Sequence, residues 1–178
     1  NDQDQDLYIA TGGSELDINA DGYRDHLFIN DGKGNFNEDQ DALPLIKQSG
    51  SSVVAADYDQ DGDLDLFVAG RVVPGRYPTS PKSSLLQNNS KNGEVIFNDV
   101  TDKIASGLSA CGMVTSALWT DTNNDGWFDL MLVGEFMPVL IFINQQGKSF
   151  EKIRMWNDQF REEGSPHSFV FLVGTKVD

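Results

Sequence analysis

The sequence predicts an all-β chain of short strands, grouped into repeated units of about four strands each. Three observations carry that expectation. Ser52 to Gly70 and Ser116 to Gly134 align without a gap at an offset of 64. The longest uninterrupted apolar runs, Val139 to Ile143 and Phe169 to Val173, are strand-sized, and Gly- and Asn-rich turns separate such runs. The acid is carried by 21 Asp against 7 Glu, and Asp prefers turns, caps and metal loops whereas Glu favours helix.

In chain order, residues 1–51 read as the first unit. Asp2 to Ala10 aligns on Asp61 to Ala69, so the chain is expected to open inside a motif, with further residues upstream. A run at Leu27 to Asn30, a turn at Asp31-Gly-Lys-Gly and Asn35-Phe36 complete this unit. Residues 52–115 read as the second: a strand, the acidic loop Asp57 to Asp65, a second strand to Gly70, an insert through Tyr77, a run at Ser84 to Asn88, and a hairpin into Val95-Ile-Phe97. Asp99 to Leu108 is the one stretch expected to form a short helix. Residues 116–155 read as the third unit, and 156–178 as a tail or the start of another. Four-stranded units at this period suggest a partial β-propeller of about three blades. Closed rings have typically four to eight, so other blades of a parent chain, or another chain, are expected to cover the open edges.

The acidic loops join the first two strands of a blade. In Asp57 to Asp65 the acidic positions are Asp57, Asp59, Asp61, Asp63 and Asp65, with Gly62 sixth. In Asp121 to Asp129 the pattern is Asp121, Asn123, Asp125, Gly126, Trp127 and Asp129. Alternate side chains at positions one, three and five can turn their oxygens onto one Ca2+, which wants six to eight hard oxygens. Glycine permits the sharp turn, and position seven can offer its backbone carbonyl, which frees its side chain to be Asp63 in one loop and Trp127 in the other. Position nine supplies a last carboxylate. Magnesium suits the pattern less, because it demands stricter octahedral geometry. An EF-hand would need Glu at position twelve, where Val68 and Leu132 stand within strands. A third loop, Asp17, Asn19, Asp21, Tyr23 and Asp25, has the same spacing but lies in the insert of the first unit, so either a third site or a plain turn is open there. About two calcium sites, and a third on that condition, are therefore expected.

With 13 Lys+Arg against 28 Asp+Glu, a formal charge of −15, the chain lacks the clustered cations that phosphate contacts need. Nucleic acid and anionic membrane surfaces are not expected partners, and no apolar run reaches the length of a membrane span. A single cysteine, Cys111, excludes an internal disulfide framework and reads as a small buried residue. His26 and His167 are isolated. Phe67 and Trp119 lie on apolar runs and read as core. No nucleophile elbow or Gly-rich phosphate loop is present.

The two loops, Asp57-Tyr-Asp-Gln-Asp-Gly-Asp-Leu-Asp-Leu-Phe-Val and Asp121-Thr-Asn-Asn-Asp-Gly-Trp-Phe-Asp-Leu-Met-Leu, resemble FG-GAP or VCBS repeats, which build the calcium-binding propellers also seen in integrin alpha subunits. Ala69 to Pro78, Gly112-Met-Val-Thr and Val133 to Pro138 resemble a narrower set, bacterial envelope or secreted proteins that pair such repeats with an ASPIC/UnbV-type module. The resemblance implies an extracytoplasmic location, calcium loops on one face of the ring, and inserts on the opposite face. Those inserts carry Arg71, Arg76, Tyr77 and Glu135, which could capture a protein or glycan partner. Alternatively Arg71 and Glu135 pair across blades while Tyr77 packs under its loop. The reading favoured is an interaction module in which calcium is structural. A propeller enzyme acting on polysaccharides or phosphoesters, and a structural spacer, are the alternatives.

Overall fold

The computed structural model describes residues 4–154. The expected tail at 156–178, with Phe169 to Val173 and His167, lies outside the described residues. The described chain forms three antiparallel sheets in sequence, with almost no helix. The first holds β1 (Leu7–Ile9), β2 (His26–Asn30) and β3 (Phe36–Glu38). The second holds β4 (Ser49–Ala56), β5 (Asp65–Val72), β6 (Ser84–Asn88) and β7 (Phe97–Asp99). The third holds β8 (Met113–Thr120), β9 (Asp129–Glu135), β10 (Leu140–Asn144) and β11 (Phe150–Arg154). Within each sheet the strands pair in chain order, an up-and-down meander of the kind that makes a propeller blade. The class is an all-β partial propeller.

The repeat seen in the sequence is a repeat of registers. Val54 pairs with Phe67 and Leu118 with Met131; Ala56 pairs with Asp65 and Thr120 with Asp129. A register shift follows Gly50 in β4 and Val114 in β8, at equivalent places. In the first sheet β1 plays the part of β5, and no described strand plays that of β4. The stretch expected to be a helix divides into one turn of helix, α1 (Thr101–Ile104), and a tight 3-10 run at Ser106–Ala110.

Alternation along each strand sends successive side chains to opposite faces. Two cores result, one between each pair of neighbouring sheets. Leu66, Val68, Leu86 and Phe97 of the second sheet meet Leu27 and Tyr8 of the first. The other face of the second sheet sends Phe67, Ala69 and Leu85 against Leu130, Leu132 and Phe142 of the third. Trp119 packs there too, and its indole Nε1 donates to the Val54 carbonyl at 3.2 Å, which ties β8 to β4. Cys111 is a buried free thiol in this core, with burial raising its pKa. His26, at the start of β2, places Nδ1 2.6 Å from a Glu38 carboxylate oxygen across the first sheet.

Candidate metal loops and recognition face

The loop between β4 and β5 is built by its own aspartates. Asp57 accepts the amide of Asp61 on Oδ1 and that of Gly62 on Oδ2, both at 3.1 Å. Asp59 Oδ1 accepts the Asp61 amide at 3.3 Å, and Asp61 Oδ1 accepts the Asp63 amide at 3.2 Å. Short acidic side chains favour such bonds to amides two residues on. Gly62 has φ +99°, a conformation that costs glycine nothing and other residues strain.

The loop between β8 and β9 repeats this geometry. Asp121 accepts the amides of Asp125 and Gly126 at 3.1 and 2.9 Å. Asn123 Oδ1 accepts the Asp125 amide at 3.0 Å, and Asp125 Oδ1 accepts the Trp127 amide at 2.9 Å. The fourth residue of each loop is left-handed, Gln60 at φ 60° and Asn124 at φ 59°, and Gly126 has φ +88°. Two sequences that differ at five of nine loop positions thus adopt one backbone, because the side-chain oxygens at positions one, three and five accept the same amides.

Among the described residues, Asp57, Asp59 and Asp61 form the one group of at least three acidic, His or Cys side chains whose candidate ligand atoms all lie within 4.8 Å of one another. That spread is about twice a calcium–oxygen bond of ~2.3–2.6 Å, so the three oxygens could ring one ion. Asp63 Oδ1 is buried without a hydrogen-bond partner. Burial, then Asp61, pushes the Asp63 pKa up to about 6. Burial, together with Asp59 and Asp61, raises that of Asp65 to about 7. Tyr58, buried between Asp57 and Asp59 in sequence, is also raised, by burial and then by Asp65. The donor set is all hard oxygen, carries excess negative charge and fits a divalent cation of calcium's size.

Position nine ties each loop to its sheet. Asp65 is buried, with Oδ1 accepting the Asn88 amide at 2.8 Å and Oδ2 the Tyr58 amide at 3.3 Å. Asp129 is equally buried: Oδ1 accepts the Asn144 amide at 2.8 Å, and Oδ2 the Thr122 amide at 3.0 Å and the Thr122 hydroxyl. In the first sheet Asp6 Oδ1 accepts the Asn30 amide at 2.9 Å. The asparagine at the end of each third strand completes the clasp. Its Nδ2 donates to the carbonyl of the residue before the aspartate: Asn30 to Gln5, Asn88 to Leu64, Asn144 to Phe128, at 3.0–3.2 Å. Sequence reasoning passed over these asparagines, although the recurrence of Asn at the end of each run was visible.

The two loops touch. Gln60 Nε2 donates to the Gly126 carbonyl at 2.8 Å, and Asn144 Nδ2 to the Tyr58 carbonyl at 2.8 Å. Tyr58 stacks on Trp119, centroids 6.1 Å apart. Gln87 Nε2 donates to Asp59 Oδ2 at 2.6 Å, so β6 also holds the loop.

The loop at 17–25 is built differently. Asp21 pairs with Lys47 at 2.5 Å, which lowers its pKa. Asp25 accepts the Tyr8 hydroxyl at 2.7 Å and the Thr11 amide at 2.8 Å. Tyr23 is buried, its hydroxyl bonded to the backbone of Leu16. Asp17 offers its backbone carbonyl to Ala20, and Asn19 is left-handed. The segment makes a 3-10 turn at Asp21–Tyr23, and its carboxylates do not converge. The physical reason is placement: it links β1 to β2 as an insert, and Lys47 already supplies the compensating cation.

At the other end of β5 and β9 lie the inserts. Arg71 donates to Glu135 at 2.7 Å, joining the second and third sheets. Tyr77 does not tuck beneath its loop. It is 61% exposed and meets Phe136, 72% exposed, edge to face at 5.6 Å. Phe136 holds φ 56°, a strained conformation for a bulky residue. Arg76 beside them is exposed.

Residues 1–68 match the family model described as FG-GAP-like repeat. The match supports the FG-GAP repeat family, and with it a β-propeller repeat module; it contains the whole of the Asp57–Asp65 loop. No curated protein matches the chain.

Proposed function

We propose that this chain is a calcium-stabilised propeller segment of an extracytoplasmic protein, serving as an interaction module. One ion belongs in each of two loops. Asp57, Asp59, Asp61, the carbonyl of Asp63 and Asp65 hold the first. Asp121, Asn123, Asp125, the carbonyl of Trp127 and Asp129 hold the second. Bound calcium supplies positive charge to crowded carboxylates and has no catalytic role. The observation that carries this reading is the same amide-to-carboxylate ladder in two loops, with three carboxylates converging in one of them. An extracellular setting, which the resemblance to VCBS-repeat envelope proteins implies, is one where calcium is abundant.

Recognition falls to the opposite ends of the strands. There Arg71 and Glu135 hold two blades together, which leaves Arg76, Tyr77 and Phe136 for a protein or glycan. Calorimetric titration of calcium-stripped protein should give two sites. Asp57→Ala and Asp121→Ala should each remove one. Heat changes indistinguishable from dilution would end the calcium reading. For recognition, Arg76→Ala and Tyr77→Ala should weaken capture on a glycan or surface-protein array at unchanged melting temperature.

A further inference from the structure

The two acidic loops are held by the same few side chains. Gln60 sits fourth in the first loop, between Asp59 and Asp61, and is none of the proposed ligands. It is exposed, yet its Nε2 donates across to the Gly126 carbonyl of the second loop at 2.8 Å. Gly126 directly precedes Trp127, whose carbonyl is a proposed ligand of the second ion. Asn144, buried at the end of β10, serves both loops at once. Its Nδ2 donates to the carbonyl of Tyr58, between Asp57 and Asp59, at 2.8 Å, and to that of Phe128, between Trp127 and Asp129, at 3.0 Å. The turn after β10 fills the space between the loops: a Cβ at Gly147 would stand 2.9 Å from the Asp59 Cα and 3.4 Å from the Trp127 ring. Tyr58 of the first loop also stacks on Trp119, two residues before Asp121.

Ordering a loop costs conformational entropy, and a loop already held in its bound shape binds more tightly. The backbone that an ion in the first loop would fix, from Tyr58 to Gln60, is tied by these bonds to the backbone that carries the second set of ligands. Fixing one side of the bonds therefore fixes the other. Charge alone acts in the opposite direction. An ion in the first loop offsets two of its five carboxylate charges, so the filled loop draws a second cation less strongly. That effect runs through solvent and is screened over about 8 Å at physiological salt, whereas the bonds act by contact.

Given two calcium sites as proposed above, we propose that the loops fill cooperatively, with Gln60 and Asn144 as the positioning residues that couple them. Occupancy of either loop raises the calcium affinity of the other by about fivefold, at the lower end of couplings between sites in proteins. By linkage the effect is reciprocal.

A calcium titration of the full chain at about physiological salt, followed through backbone amide NMR signals, tests this site by site. The Gly62 amide reports the first loop and the Gly126 amide the second. Asp57→Ala, which removes the first ion, should raise the calcium concentration that half-saturates the second loop by about fivefold; Asp121→Ala should do the same to the first. Gln60→Asn keeps every ligand, and asparagine already stands at this left-handed position of the second loop as Asn124, but its shorter side chain falls short of Gly126. It should weaken the second loop several-fold in the otherwise unaltered chain, and add nothing in the Asp57→Ala background, where no ion orders the first loop. That last arm separates coupling from mere support of the second loop, which would weaken both backgrounds alike. A second loop that binds calcium equally well, or better, once Asp57 is removed overturns the proposal and leaves both calcium sites standing. So does a Gln60→Asn effect of equal size in the two backgrounds. Gly62 and Gly126 signals that ignore calcium altogether would overturn the calcium reading, and the coupling with it.

Discussion

Replacing Asp59 by asparagine should change the protein's stability in opposite directions with and without calcium. Asp59 belongs to two of the three carboxylate pairs in the Asp57, Asp59, Asp61 group, whose oxygens lie within 4.8 Å. At such a separation two unit charges repel by about 0.9 kcal/mol in water and about 3.5 kcal/mol at an effective dielectric of 20. The loop is at the surface, so the lower figure applies, and removing one charge relieves about 2 kcal/mol. Against this, the 2.6 Å bond from Gln87 Nε2 loses its charge assistance, about 1 kcal/mol. The net is about 1 kcal/mol in favour of the calcium-free variant, or a melting temperature higher by about 2–4 °C for a chain of this size. In calcium the same change removes a charged ligand, and each tenfold loss of affinity subtracts about 1.4 kcal/mol from the ion's stabilisation at saturating calcium. Asn123 stands at the same position in the second loop, so the variant backbone is already present in this molecule. Differential scanning calorimetry in calcium and after stripping reads both signs. A stripped variant no more stable than wild type, with an unchanged calcium increment, would refute the charge-crowding argument.

Other expectations follow from the same geometry. Asp63 and Asp65 have folded pKa values of about 6 and about 7, above the ~3.9 of an unfolded aspartate. The folded state therefore binds more protons between pH ~4 and ~7, and calcium-free stability should fall as pH rises through that window. Asp63→Asn should flatten the slope of melting temperature against pH, and calcium, which needs the ionised carboxylates, should reverse it. Asn144→Ala removes donors to the carbonyls of Tyr58 and Phe128 and the acceptor of the Gly147 amide; urea unfolding should show a loss of about 3 kcal/mol from unpaired buried groups. Gly147→Ala would put a Cβ 2.9 Å from the Cα and Cβ of Asp59, at φ +72°. It should lower stability by more than about 1 kcal/mol and weaken calcium binding in the first loop, read by the same titration.

The sequence alone determined the strands, their grouping and the acidic loops, because each depends on neighbours within a few residues. Alternation makes a strand, an aspartate reaches an amide two to five positions ahead, and glycine turns the chain. Those rules left the loop at 17–25 open between a third site and a plain turn. Only the assembled sheets show that Lys47 neutralises Asp21 and that Tyr8 and Thr11 hold Asp25. The tertiary structure likewise decided that Asp65 and Asp129 are buried clasps reaching Asn88 and Asn144, that Arg71 meets Glu135, and that Phe136 stands exposed on a left-handed backbone. Apart from the backbone at Phe136, each of these pairs residues far apart in the chain. Their meeting depends on how neighbouring sheets stack, which is set by burial of whole faces and leaves no local mark in the sequence.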